Sequence, residues 1–149
     1  MIVADTGAIL ALLDSGDRHH DAVRALYLDR PDDWLLPWAI LPEVDYLVRS
    51  ELGARAQEIF LADVANGSFA VEYGRHDDVV RAYAIGRKYR ALGMGLVDAV
   101  VIAVAERVRA HAIATLDVLH FGAVRIAGWP RLLPRDAYKR EVRLKPDTT

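Results

Sequence analysis

The chain has 149 residues, 53% of them hydrophobic, enough for one globular domain with its own core and no room for a second. A net charge of −2 excludes a protein that coats nucleic acid through overall charge, while leaving room for a local basic surface. The absence of cysteine excludes disulfides, thiolate metal sites and thiol nucleophiles.

The N-terminal "MIVAD" reads as a short buried strand, and "TGAILALLD" as a helix that begins at once. Asp5 interrupts this apolar start and no basic segment precedes it, so a signal peptide is not expected. No apolar run approaches the roughly 18 residues of a membrane span, and a cytoplasmic protein without membrane attachment is the expectation. "HHDAVRALYLDR" has helical apolar spacing, and "DDWLLPW" reads as a second strand. "ILPEVDYLVRSELG" is a helix with Pro42 in its first turn and Gly53 past its end, and "ARAQEIFLADVANG" repeats the form with Gly67 as its stop. "FAVEY" is an edge strand, and "HDDVVRAYAIGRKYRAL" is a helix with an acidic first turn. "GMGLVDAVVIAVAERV" supplies a helix that is apolar on nearly every side, "HAIATLD" a strand ending in a turn, and "AVRIAG" a last strand. Strands alternating with helices imply a three-layer α/β/α domain with a mostly parallel sheet. From Arg131 onward six Lys/Arg face three Asp/Glu, and no hydrophobic period follows Pro134. Residues 135–149 are therefore expected to form a basic, flexible tail, with contact to RNA as a lesser alternative.

In an open α/β sheet, ligands bind beyond the carboxyl ends of the strands. Asp5 closes the first strand, Glu43 lies in the first turn of the helix after the second, and Asp117 ends the "HAIATLD" strand. Asp98 follows from chain lengths. Its helix runs out about 18 Å at ~1.5 Å per residue, and the strand after it returns about 20 Å at ~3.3 Å per residue. Asp98 and Asp117 should finish level, with all four acids at one edge. Each has an ordinary structural explanation: Asp5 or Thr6 as a helix cap, Glu43 as an acid at a helix N-terminus, Asp117 as a turn residue. Asp45 competes with Glu43, but two residues apart on a helix they cannot both face the site. Asp98 fits its ordinary role least well. A helix dipole contributes at most about 2 kcal/mol, and an unpaired buried carboxylate costs several. Four acids at one edge repel unless something cationic lies between them, and no Lys or Arg stands within three residues of any of them. A divalent cation that prefers oxygen, such as Mg²⁺, is the economical solution and suits phosphate chemistry.

"MIVADTGAILALLD", "LPEVDYLV", "GLVDAVVIAVAE" and "ATLDVLHF" resemble the four signature segments of PIN-domain ribonucleases, and most closely the toxins of VapBC-type bacterial toxin–antitoxin modules. The resemblance covers about residues 1–134. It implies a Mg²⁺- or Mn²⁺-dependent endoribonuclease whose metal is held by Asp5, Glu43, Asp98 and Asp117, with Thr6 and Thr115 supplying hydroxyls nearby. On that reading Asp5 and Asp98 hold the main metal, Thr115 orients a water or a phosphate oxygen, and cleavage leaves 5′-phosphate and 3′-hydroxyl ends. It also implies a homodimer inhibited by a cognate antitoxin. Val118 stands where many relatives have a basic residue.

Such a mechanism requires no histidine base. His19, His20, His76 and His111 read as surface or packing residues, leaving His120, three residues past Asp117, as the one to weigh for substrate contact. Arg49, Arg55, Arg87, Lys88 and Arg90 are candidates for a basic rim that draws RNA to an acidic site. Trp34 and Trp38 bracket a strand and read as core. Two other classes compete: a receiver-like domain with a phosphorylated Asp, and a PIN-like fold that only binds a partner. A receiver needs a strand-end lysine, and the only lysines are Lys88, Lys139 and Lys145. A haloacid-dehalogenase phosphatase would need a second Asp that "DTGA" lacks.

Overall fold

In the computed structural model, residues 1–137 are described. Five strands, β1 (Ile2–Ala4), β2 (Trp34–Pro37), β3 (Ala70–Glu72), β4 (Ala112–Ala114) and β5 (Arg131–Leu133), form one sheet. Its order is β3-β2-β1-β4-β5 and every pairing is parallel. Seven α-helices connect them: α1 (Thr6–Leu13), α2 (His20–Asp29), α3 (Leu41–Leu52), α4 (Ala54–Ala65), α5 (His76–Lys88), α6 (Leu96–Arg107) and α7 (Val118–Ala123). No helix among the described residues is long and apolar enough to cross a membrane.

The strand order places the site. From β1 the chain steps outward to β2 and β3, then crosses back to β4 on the other side of β1. The order therefore reverses between β1 and β4, which opens a crevice at their carboxyl ends. Asp5 leaves β1 there, and Thr115 and Asp117 leave β4 there. β1 and β4 are central and wholly buried, which is why "IVA" and "AIA" carry no polar alternation. α6 packs against α5, β1 and β2, so Val101 to Ala105 are all buried and its surface is apolar on nearly all sides.

The structure corrects four expectations. "AVRIAG" is not a strand: Val118–Ala123 is a helix, and the last strand is Arg131–Leu133. Val124 and Ile126 are buried while Arg125 and Ala127 are exposed, a strand-like alternation in a segment that pairs with nothing in the sheet. The helix over "HDDVVRAYAIGRKYRAL" stops at Lys88. Arg90–Leu92 then forms a separate 3-10 turn closed by Gly93 at φ 63°, a left-handed conformation that favours glycine. Trp34 is core at 1% exposure, but Trp38 is 52% exposed, stacked on Tyr73 with ring centroids 5.5 Å apart. Finally, the start of the expected tail is packed: the buried Asp136 carboxylate accepts from the Leu132 backbone N–H at 2.9 Å and from the Arg135 guanidinium at 2.9 Å. The rest of that tail, residues 138–149, lies outside the described residues.

Candidate active site

Asp5 is both a helix cap and a member of the cluster. As N-cap of α1 it accepts a hydrogen bond from the Thr6 N–H at 2.7 Å through Oδ1. Its Oδ2 accepts from the Thr115 hydroxyl at 2.9 Å. Thr115 is fully buried, and its Oγ1 also accepts from the Asp117 N–H at 3.1 Å. One threonine thus fixes the acid after β1 against the turn after β4. The hydroxyl proton is committed to the Asp5 carboxylate and the oxygen to the Asp117 backbone, so Thr115 ties one acid to the turn that carries another.

Asp117 caps α7, its Oδ1 accepting from the His120 N–H at 3.0 Å. Its Oδ2 lies 2.7 Å from Nδ1 of the same histidine, whose Nε2 is 2.8 Å from the Leu92 carbonyl. A carbonyl cannot donate, so Nε2 carries the proton of its contact with Leu92, and a carboxylate opposite Nδ1 favours a second proton there. The hydrogen bond to Asp117 and its charge hold the ring's pKa above the usual histidine value. When doubly protonated, His120 is a positive group beside acids that have no Lys or Arg near them in sequence. The signal that marks it is Asp117–His120 spacing, i and i+3 across a helix start.

Asp98 and Glu43 both occupy the third position of their helices, α6 and α3. Asp98 is half-buried. Burial first, then the charge of Asp117, raise its pKa; His120 eases this, and Glu43 adds to it. Asp5, at 5% exposure, is pushed up to about 6 by burial and then by the charge of Asp98, against hydrogen bonds from Thr115 and Thr6. Asp98, Asp117 and His120 each place one ligand atom within 4.8 Å of the others. Asp5 and Glu43 are not in that close group: Asp5 is joined to it through the charges of Asp98 and Asp117, and Glu43 through that of Asp98. Asp45 is excluded from it: its carboxylate accepts from Gln57 Nε2 at 2.8 Å, on the seam between α3 and α4.

The donor set is almost entirely carboxylate oxygen. Next to Asp5, the buried Thr6 Oγ1 makes no hydrogen bond among the described residues. Hard oxygen donors with surplus negative charge match Mg²⁺ or Mn²⁺. Of the rim candidates, Arg49 is hydrogen-bonded to Gln57 at 2.9 Å and Lys88 stands over the Tyr89 ring at 5.4 Å, while Arg55 is exposed on α4. Arg87 and Arg90 line a hollow beside the first turn of α6. His20 bonds the Ala11 carbonyl and His111 meets the N-terminal amine, ordinary packing contacts.

The PIN domain family profile matches residues 2–124. The ribonuclease VapC26 of Mycobacterium tuberculosis is 31% identical over 130 residues, covering 87% of this chain and 96% of that protein. Among solved structures, the chain resembles VapC20 of Mycobacterium tuberculosis, a sarcin–ricin-loop-cleaving toxin, with 23% identity over 86% of this chain and 98% of that one, at TM-score 0.76. It also resembles DNA-bound VapBC of Salmonella typhimurium, with 16% identity over 89% of this chain and 97% of that one, at TM-score 0.66. Because the profile spans most of the sequence and the curated relative aligns along nearly its whole length, the chain belongs to the PIN-domain family.

Proposed function

We propose that this protein is a metal-dependent endoribonuclease, the toxin of a type II toxin–antitoxin module, hydrolysing RNA phosphodiester bonds. The observation that carries the reading is the convergence of Asp5, Glu43, Asp98 and Asp117 at the switch between β1 and β4, with Asp5 pushed up to about 6. Burial and neighbouring negative charge disfavour the ionised forms of Asp5 and Asp98, and a cation between them would relieve both. Asp5 and Asp98 would hold a Mg²⁺ or Mn²⁺ ion, and Glu43 and Asp117 would complete its surroundings. Bound there, the ion supplies an activated water and offsets charge on the phosphate oxygens. The protein's own part is positional. Thr115 holds Asp5, and His120 holds Asp117 until the cation takes over its charge.

On this reading the nuclease domain includes the packed residues 135–137 beyond the boundary at Pro134 that the sequence suggested. The protein works in the cytoplasm as a homodimer and is restrained by a cognate antitoxin, as befits relatives found in VapBC assemblies. The receiver-like alternative is weakened by the position of Lys88 at the end of α5 rather than at a strand end.

The deciding experiment compares wild type with Asp98→Asn on total RNA, with and without Mg²⁺ or Mn²⁺. Cleavage by wild type should require the ion and vanish in the variant, while the variant's metal-free stability holds or rises. Equal cleavage by the variant, or its unfolding, overturns the reading.

A further inference from the structure

The acid cluster repels the polyanion it is proposed to cut, so substrate must be held by cations set beside it. These are concentrated at one corner. α5 ends at Lys88, the 3-10 turn Arg90–Leu92 follows, and the chain enters α6 through Gly93. The corner encloses a hollow of about 290 Å³ whose lining includes Tyr83, Gly86, Arg87, Arg90, Met94 and Leu96. It is tied to the acid cluster from two sides. Leu92, two residues after Arg90, gives its carbonyl to His120 Nε2 at 2.8 Å, and Leu96 opens α6 two residues before Asp98.

The chemistry of the lining is specific. Tyr83 is 65% exposed, with the Arg87 guanidinium 5.9 Å from its ring centroid. Neither Arg87 nor Arg90 forms an ion pair among the described residues, whereas Arg81 and Arg107 nearby are both taken up by carboxylates. Gly86 lies in the last turn of α5, and a Cβ added there would meet nothing within 4 Å. The small residue keeps the hollow open. An exposed aromatic ring beside two uncommitted guanidinium groups is the combination that holds single-stranded nucleic acid, by base stacking and phosphate contact.

We infer that this corner is a nucleotide subsite for single-stranded RNA flanking the scissile phosphate, with Tyr83 stacking on a base and Arg87 and Arg90 contacting backbone phosphates. The inference rests on the nuclease reading above and names where its substrate is held.

The test is binding of a short fluorescein-labelled single-stranded RNA of mixed sequence, followed by anisotropy in chelator so that nothing is cut. Arg87→Gln with Arg90→Gln should weaken binding about tenfold or more and cut the salt slope by about 1.4, at ~0.7 for each phosphate no longer neutralised. Tyr83→Ala should weaken binding about fivefold or more with the slope unchanged, and Tyr83→Phe should bind as wild type does. Gly86→Leu, which fills the hollow without altering charge, should also weaken binding while the melting temperature holds or rises. Arg18→Gln with Arg24→Gln, an equal charge change at and just before α2, serves as the reference. Overturning results are an Arg87/Arg90 double variant that binds no worse than the Arg18/Arg24 double variant, or a Tyr83→Ala variant that changes sedimentation while binding RNA normally, which would mark a protein interface. The two readings fail separately. Abolition of cleavage by Asp98→Asn alongside normal binding by the corner variants sinks only the subsite. Weakened binding by the corner variants in a protein with no metal-dependent cleavage sinks only the nuclease.

Discussion

Asp5 and Asp78 are equally buried, at 5% and 4% exposure, and the protein treats them in opposite ways. Burial pushes both carboxyls up. At Asp78 this is overcome by Arg107, which donates to its two oxygens at 2.7 and 2.9 Å, and by the Arg75 N–H at 2.8 Å. The result is a pKa below the ordinary aspartate value, in a network that also takes in Glu72 and joins β3, α5 and α6. Asp5 has hydrogen bonds but no arginine among the described residues, and the charges that act on it are other acids. One carboxylate is finished as a strut. The other caps α1 with its charge left uncompensated, as the proposed metal site requires.

Removing the cation from the strut should have the largest effect. Arg107→Met leaves Asp78 buried and unpaired and should cost about 3–5 kcal/mol in urea unfolding. Pairing it with Asp78→Asn should restore part of that loss. A cost under roughly 1 kcal/mol, the range of surface pairs, would remove the contrast.

Asp5→Asn should do the reverse. The shift from 3.8 to about 6 corresponds to destabilisation on the order of 3 kcal/mol above pH 6, as an upper limit. The folded state binds more protons than the unfolded state between the two values, so this contribution makes stability fall as pH rises from about 4 to 6. Asp5→Asn should therefore be more stable than wild type at pH 7, and the gap should close as pH falls to 4. For Asp78 the sign is opposite: its support is present above the unfolded value and is lost as pH falls through the lower folded one.

Divalent ions sharpen the comparison further. Mg²⁺ or Mn²⁺ at a hundred times its dissociation constant should stabilise wild type by about 2.7 kcal/mol, and Asp5→Asn far less. Because binding displaces the Asp5 proton, affinity measured by calorimetry should rise with pH up to about 6 and then level off.

Thr115→Val keeps the shape but removes the hydroxyl that joins Asp5 to Asp117. A loss of about 1–2 kcal/mol is expected in denaturant titration, together with reduced cleavage. Smallest of all, Arg81→Ala breaks a pair with Glu106 whose arginine is 46% exposed, and should cost only about 0.5 kcal/mol by the same measurement.

Much of the acid cluster was legible because its members sit at element ends that local sequence marks. "IVAD" and "IATLD" place Asp5 and Asp117 after buried strands, and the length of α6 sets Asp98 level with Asp117. Asp5 and Asp117 each cap a helix and also face the cluster, since one carboxylate has lone pairs for both uses. Glu43 and Asp45 stayed unresolved in sequence because both fit the same helix start. Gln57, on the next helix, decides between them. His120 was visible only as a neighbour of Asp117. Its second contact, with the Leu92 carbonyl, spans 28 residues of chain.

The errors follow the same division. Alternation at Val124 and Ile126 reports which side chains are buried, and a chain segment can bury alternate residues without a strand beside it. Trp38 looked like core because tryptophan usually is, and the turn after β2 sends it outward onto Tyr73. By itself the sequence determined the alternation of buried strands and amphipathic helices, the four acids and the absence of Lys or Arg beside them in the chain, all carried by local spacing and residue type. Tertiary structure alone decided which acids lie close enough to share a charge, which arginine completes Asp78, and that none completes Asp5. Those outcomes depend on distances across the sheet and on desolvation, and neither exists until the strands have taken their order.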